Sequence, residues 1–351
     1  MGIFKIPKVK RVIKTFVANG GKKGGLSRLM GFRRRVIILC YHRIIPKEEI
    51  EHTLSSKWII VNLASFERQM QLLRTHFDPI SAEKFNAIVQ GKETFPRRSV
   101  LVTFDDGWED NYQYAFPILQ RYNIPAIIFL TTGFIGTQKV FWPERLFYYL
   151  RRLEKENAET KKGIQLINTA LQLDISTNDL RQSDLADRIV EKAKWIKHET
   201  RERLFNELAH LFPEMDENII ASNHLLSWDQ VSEMYQKGIA FGSHGVTHRL
   251  LTNLDPSEIR WEAMESRRTI ETHLGISPKG FAYPNGNYSP DVIQAVKEEG
   301  FQWAVTTEKG SVGSSQDPFR LPRLCLDDLS LSDWKGKFSE AIFLSRLAGY
   351  L

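Results

Sequence analysis

The sequence predicts an α/β protein: a parallel barrel of about seven strand–helix units carrying a helical insertion. Three observations predict it. Short apolar runs alternate with segments of helical period. The chemically distinctive residues fall at the C-terminal ends of those runs, where parallel α/β folds place their chemistry. One long stretch, about residues 137 to 226, is helical in period and has no strand within it.

Taken in order, "RVIILCYH" (35–42) reads as a buried strand, and "LASFERQMQLL" as a helix with Phe66, Met70 and Leu73 on one face. "SVLVTF" (99–104), a helix through "AFPILQRY", and the strand "AIIFLTT" (126–132) follow. After the charged, helical stretch come "IAFGSH" (239–244), "GFAYP" (280–284), "WAVTT" (303–307) and "LPRLCL" (321–326). Asp255, Pro256 and Glu258 supply an N-cap, a proline at the first helical position and a capping-box partner. Ser289 and Pro290 open a further helix that Gly300 closes.

The domain reading is therefore a basic arm (1–34), a barrel (35–330) interrupted at about 137–226, and a helical tail (331–351). Cys40 and Cys325, the two cysteines, both lie in apolar strand-like runs, which is no disulfide framework. The net charge of +6 is uneven: residues 1–35 hold eleven Lys and Arg and no Asp or Glu, so the remainder carries −5. A mildly acidic body argues against nucleic acid as the partner. The arm interleaves Ile3, Phe4, Ile6, Val9, Val12, Ile13, Phe16 and Val17 with its cations, as would a helix resting on an anionic membrane surface or, alternatively, an arm packed on the body with its lysines in water. It has no apolar run of signal-peptide or membrane-spanning length, so a cytoplasmic protein, peripheral at the membrane, is expected.

The chemistry begins at "TFDDG", where a strand ends in Asp105 and Asp106. Two adjacent carboxylates repel unless a positive charge relieves them. In "SHGVTH", His244 and His248 are four residues apart, and a helical turn there would face both imidazoles to one side. Two histidines and one carboxylate form a compact site for one divalent metal with open positions. The second aspartate can then stay off the metal as a general base.

"TFDDG" (103–107), "SHGVTH" (243–248) and "FAYPNG" (281–286), in this order, resemble the NodB-type polysaccharide deacetylases. The resemblance covers roughly residues 35–330 apart from the insertion. It implies a distorted (β/α)7 barrel and metal-dependent removal of an acetyl group from a sugar. By position it makes Asp105 the general base and Asp106, His244 and His248 the ligands, usually to Zn2+. The turn of Tyr283, Pro284 and Asn285 would offer the Asn285 N–H to the oxyanion.

Two elements depart from that pattern. Ala282 stands where the family commonly has the arginine that tethers the base, and the late strand ending in the general-acid histidine is missing. A subgroup resembling the biofilm poly-N-acetylglucosamine deacetylases carries that element at the start of the domain, where His42 would be the acid. Arg323, on a late strand, is the candidate to orient Asp105. Trp108, Tyr112, Trp142 and Tyr283 are candidates to stack on sugar rings, with core packing as the competing role. The expected substrate is an acetylated glycan or lipid-linked sugar precursor. Two alternatives use the same residues: a carbohydrate- or lipid-binding barrel without activity, and a metal-dependent hydrolase of a non-sugar amide.

Overall fold

The computed structural model describes residues 34–153, 157–182, 184–212, 215, 219–220 and 223–349. The expected amphipathic helix of the arm lies outside these residues. The chain forms two compact units, one containing residues 51–56 and 138–224, the other 34–50, 57–137 and 225–349.

The larger unit is built on seven parallel strands: β1 (Val36–Tyr41), β2 (Ser99–Phe104), β3 (Ala126–Leu130), β4 (Ala240–Ser243), β5 (Gly280–Ala282), β6 (Trp303–Val305) and β7 (Leu324–Cys325). Their order is β7-β1-β2-β3-β4-β5-β6. Leu321, just before β7, makes a parallel bridge to Val305 of β6, with Leu321 N–H donating to Ala304 O and Thr306 N–H to Leu321 O. The segment entering β7 thus joins β6 to β1 and closes the ring. This is the expected barrel. Each predicted strand is present, β2 over its full predicted length and the others shortened at one or both ends.

The strands are apolar throughout because a parallel sheet is covered on both faces. Every residue of β1, β2 and β3 is buried. Inward positions follow the two-residue period: Val36, Ile38, Leu101, Ile127, Phe129, Ala282, Trp303, Val305 and Leu321 form one core cluster. Outward positions pack on helices. Tyr41 meets Phe66 edge-on at 5.3 Å and donates its hydroxyl to Gln69 at 2.8 Å. Phe66, Met70 and Leu73 are all buried on the helix Leu63–His76. Burying each such side chain is worth about 1.5–3 kcal/mol.

The helix Pro256–Leu274 begins on the expected capping box, Asp255 accepting from Glu258 N–H. The helix Pro290–Glu298 begins at the Ser289 cap. Three short strands escape the periodicity of the sequence. Asp78–Pro79 pairs with the start of β2, while Arg43–Ile45 and Ile60–Asn62 pair with each other. Two or three residues are too few to display a period.

The smaller unit is helical. Trp142–Arg152, Ala158–Leu171, Leu185–Ala193 and His198–Leu211 surround a core that includes Leu146, Tyr149, Ile164, Ile189, Phe205 and Leu208. Trp142 there lies under the Arg201 guanidinium at 4.4 Å. No helix among the described residues is long and apolar enough to cross a membrane.

Candidate active site

The register of β1 and β2, with Tyr41 opposite Phe104, ends both strands at one level. His42 and Asp105 follow directly, and Asp105 N–H donates to Tyr41 O at 2.9 Å. The inward period that gives Leu101 and Thr103 continues to Asp105, and on β1 it runs Val36, Ile38, Cys40. The apolar barrel interior therefore turns polar at its C-terminal end.

Arg323 occupies that end, fully buried. Its Nη1 and Nη2 donate to Asp105 Oδ1 and Oδ2 at 2.7 and 2.6 Å, a two-pronged ion pair. Nε donates to Thr306 O at 2.9 Å. Cys40 Sγ lies 3.5 Å from Asp105 Oδ2, and His42 Nε2 lies 4.0 Å from that same oxygen. Burial pushes the Asp105 carboxyl up, but Arg323, His244 and His42 outweigh it and hold it at about 2. Burial also lowers His42, against the pull of both aspartates.

Asp106 turns away from the strand path. Its φ is 75°, and Gly107 follows at 84°. A Cβ on Gly107 would stand 2.8 Å from Leu130 Cδ2, so glycine is required at this turn. Asp106 Oδ2 accepts from the Trp108 indole N–H at 2.8 Å. Oδ1 is buried without a hydrogen bond and lies 3.4 Å from His244 Nε2 and 3.2 Å from His248 Nε2. Burial raises the Asp106 carboxyl, and His248 and His244 bring it well below the ordinary range.

The two histidines do not meet through a helical turn. The loop after β4 is irregular, and Gly245 at φ 78° and His248 at φ 57° bring the rings to 5.1 Å between centroids. His244 Nδ1 lies 2.7 Å from Ala282 O, a carbonyl that can only accept, so Nδ1 carries a proton and Nε2 is the nitrogen turned toward Asp106. Burial lowers His244, and Asp105 and Asp106 raise it to a net upward shift. Ligand atoms of Asp106, His244 and His248 all fall within 4.8 Å of one another. An orphaned carboxylate oxygen with two imidazole nitrogens turned toward it is a donor set that fits a divalent cation, and two nitrogens with one oxygen suit zinc.

Of the remaining expected residues, Asn285 has φ 58° and is exposed; Pro284 precedes it, buried. Tyr283 is no sugar platform: it is fully buried among Phe281 and Tyr288, and its hydroxyl donates to Phe319 O at 3.1 Å. Trp108 also differs from the expectation. It is 1% exposed, its N–H holds Asp106, and Arg43 stacks over it at 4.2 Å.

Sequence reasoning missed the residues that hold the others. Asp110 accepts from Arg43 Nε and Ile44 N–H at 2.8 and 2.9 Å, and Asn111 donates to His42 O at 2.8 Å. Glu262 accepts from Val246 N–H and Thr247 N–H between the two histidines. A polar residue within the buried stripe Ile259, Ala263, Ser266, Ile270 was the available signal for Glu262.

The sequence profile of the polysaccharide deacetylase family matches residues 92–304. The chain belongs to that family. It is 24% identical over 326 residues to the poly-β-1,6-N-acetyl-D-glucosamine N-deacetylase of Staphylococcus epidermidis, covering 87% of this chain and 84% of that one. Its fold is similar to the Streptococcus pyogenes deacetylase PplD, solved in complex with acetate, at TM-score 0.55 and 19% identity, over 86% of this chain and 96% of that one. IcaB from Ammonifex degensii also scores 0.55 at 19% identity, over 90% and 96%. The profile begins after His42 and ends before Arg323, so the fold alone brings these two to Asp105.

Proposed function

We propose that this protein is a metal-dependent deacetylase that removes the N-acetyl group from glucosamine units of a glycan. The observation that carries the reading is the Asp106–His244–His248 cluster beside a separately held carboxylate, Asp105. The relatives' named substrate, poly-β-1,6-N-acetyl-D-glucosamine, supports the sugar.

Asp106, His244 and His248 would hold the cation, which when bound polarises the acetyl carbonyl and makes a water more acidic. Asp105 is the group that takes the proton from the attacking water. Its contact with Arg323 keeps it ionised and aimed, at a cost in basicity. His42, 4.0 Å from Asp105 Oδ2, is the group that hands a proton to the departing amine. Without that proton the amine would leave as an anion. The Asn285 N–H is the donor to the oxygen that becomes negative as the carbonyl carbon turns tetrahedral.

The test is acetate release from a β-1,6-linked N-acetylglucosamine oligomer, alone, with a chelator, and with zinc restored after chelation. Release that stops with the chelator and returns with zinc supports the reading. Release that continues at full rate in chelator refutes the metal's role.

A further inference from the structure

His244 and His248 are positioned very differently. His244 is anchored by β4, its N–H donating to Leu130 O at 2.8 Å and its Nδ1 set against Ala282 O. His248 follows three loop residues and sits at φ 57°, a conformation that a non-glycine residue holds only when its surroundings impose it. Its place depends on what fixes Gly245, Val246 and Thr247.

Carbonyls of the loop are held from one side, by Thr132 N–H to Gly245 O at 3.1 Å and Gly133 N–H to Val246 O at 3.0 Å. Two of its N–H groups, those of Val246 and Thr247, are held by one carboxylate. Glu262, fully buried on the helix Pro256–Leu274, accepts at Oε2 from Val246 N–H at 2.6 Å and Thr247 N–H at 3.0 Å. Its Oε1 accepts from the Thr247 hydroxyl. One turn on, Ser266 meets the Ser243 hydroxyl at 2.6 Å, which accepts from Gly245 N–H. A Cβ on Gly245 would stand 3.0 Å from Glu262 Oε2, so the glycine is what lets the carboxylate reach the loop. A buried carboxylate is costly unless its oxygens are used, and here both are.

We propose that Glu262 is a positioning residue for the Asp106–His244–His248 centre: it templates the 245–247 loop in the shape that sets His248, and so sets the metal affinity. The inference rests on the metal-centre reading above. It needs no contact between Glu262 and the metal.

The experiment measures zinc affinity by chelator competition, and the visible absorption of the Co2+-loaded protein, for wild type and Glu262→Met, Glu262→Gln and Val292→Ala. Methionine keeps the bulk and removes every acceptor, so affinity should fall by about 10–100-fold, with a changed Co2+ spectrum. Glutamine keeps one oxygen for both N–H groups and should restore most of the affinity. Val292→Ala, a buried site on another helix, should lower the melting temperature and leave affinity and spectrum alone. Should Glu262→Met fail to fold, Thr247→Val removes one partner of the carboxylate and should weaken binding less. Wild-type affinity in Glu262→Met, or in Thr247→Val where that variant takes its place, or an equal loss in Val292→Ala, overturns the proposal while leaving the metal centre standing. A wild type that takes up no metal overturns both.

Discussion

Arg323 and Asp105, 218 residues apart in the chain, meet in a fully buried, two-pronged ion pair inside the barrel. Removing one partner of such a pair strands the other charge out of water, which costs about 3–5 kcal/mol. Arg323→Met should therefore lower stability by about that amount and abolish activity, whereas Arg323→Met combined with Asp105→Asn should recover much of the stability and none of the activity. Chemical denaturation of the four proteins checks this, and additive losses in the double variant would contradict it.

Trp108→Phe tests whether the indole N–H holds the ligand carboxylate. A smaller ring stays under Arg43, while the 2.8 Å bond to Asp106 Oδ2 and part of the buried ring volume are lost. Metal affinity should fall by about 10-fold or more, alongside a lower melting temperature from the buried volume lost. Competition with a coloured chelator reads it directly.

Asp328 makes a pH-dependent contribution to stability. Burial raises its carboxyl to about 6, although it accepts from Asn62 N–H at 2.9 Å. An acid raised on folding contributes stability below its unfolded value, near 4, that is lost as pH rises through about 6. Melting curves of wild type and Asp328→Asn should thus diverge between pH 4 and 7, with the variant gaining relative stability as pH rises. A constant difference across that range would contradict the assignment.

The arm's expected role rests on its ten cations and interleaved apolar residues. Full-length protein should sediment with anionic vesicles, and a variant lacking residues 1–30 should not, the difference shrinking at high salt. Equal sedimentation of both would remove the arm from any membrane contact.

The barrel was legible because its strands are unbroken apolar runs that stop at polar residues, and a parallel strand buried on both faces leaves that signature. The chemistry was legible for a related reason: Asp105, His42 and His244 sit where those runs stop. Contacts between distant elements were less so. The inward direction of Arg323 follows from strand period only once β7 is known, and β7 has just two paired residues. Glu262, within "RWEAMESRR", reads as a solvated helix charge, yet it is buried because a loop from β4 folds over it. Trp108 and Tyr283 look like sugar platforms in sequence, and only packing reveals that one holds Asp106 and the other fills the core.

The most direct test is the metal content of purified wild type beside His244→Ala. His244 offers Nε2 to the cluster with its tautomer fixed by Ala282 O, so its loss should leave Asp106 and His248 unable to retain the ion. The account predicts about one equivalent of divalent metal in wild type and close to none in the variant. A wild type that takes up no metal when zinc is supplied, or a variant that keeps its full equivalent, would contradict it.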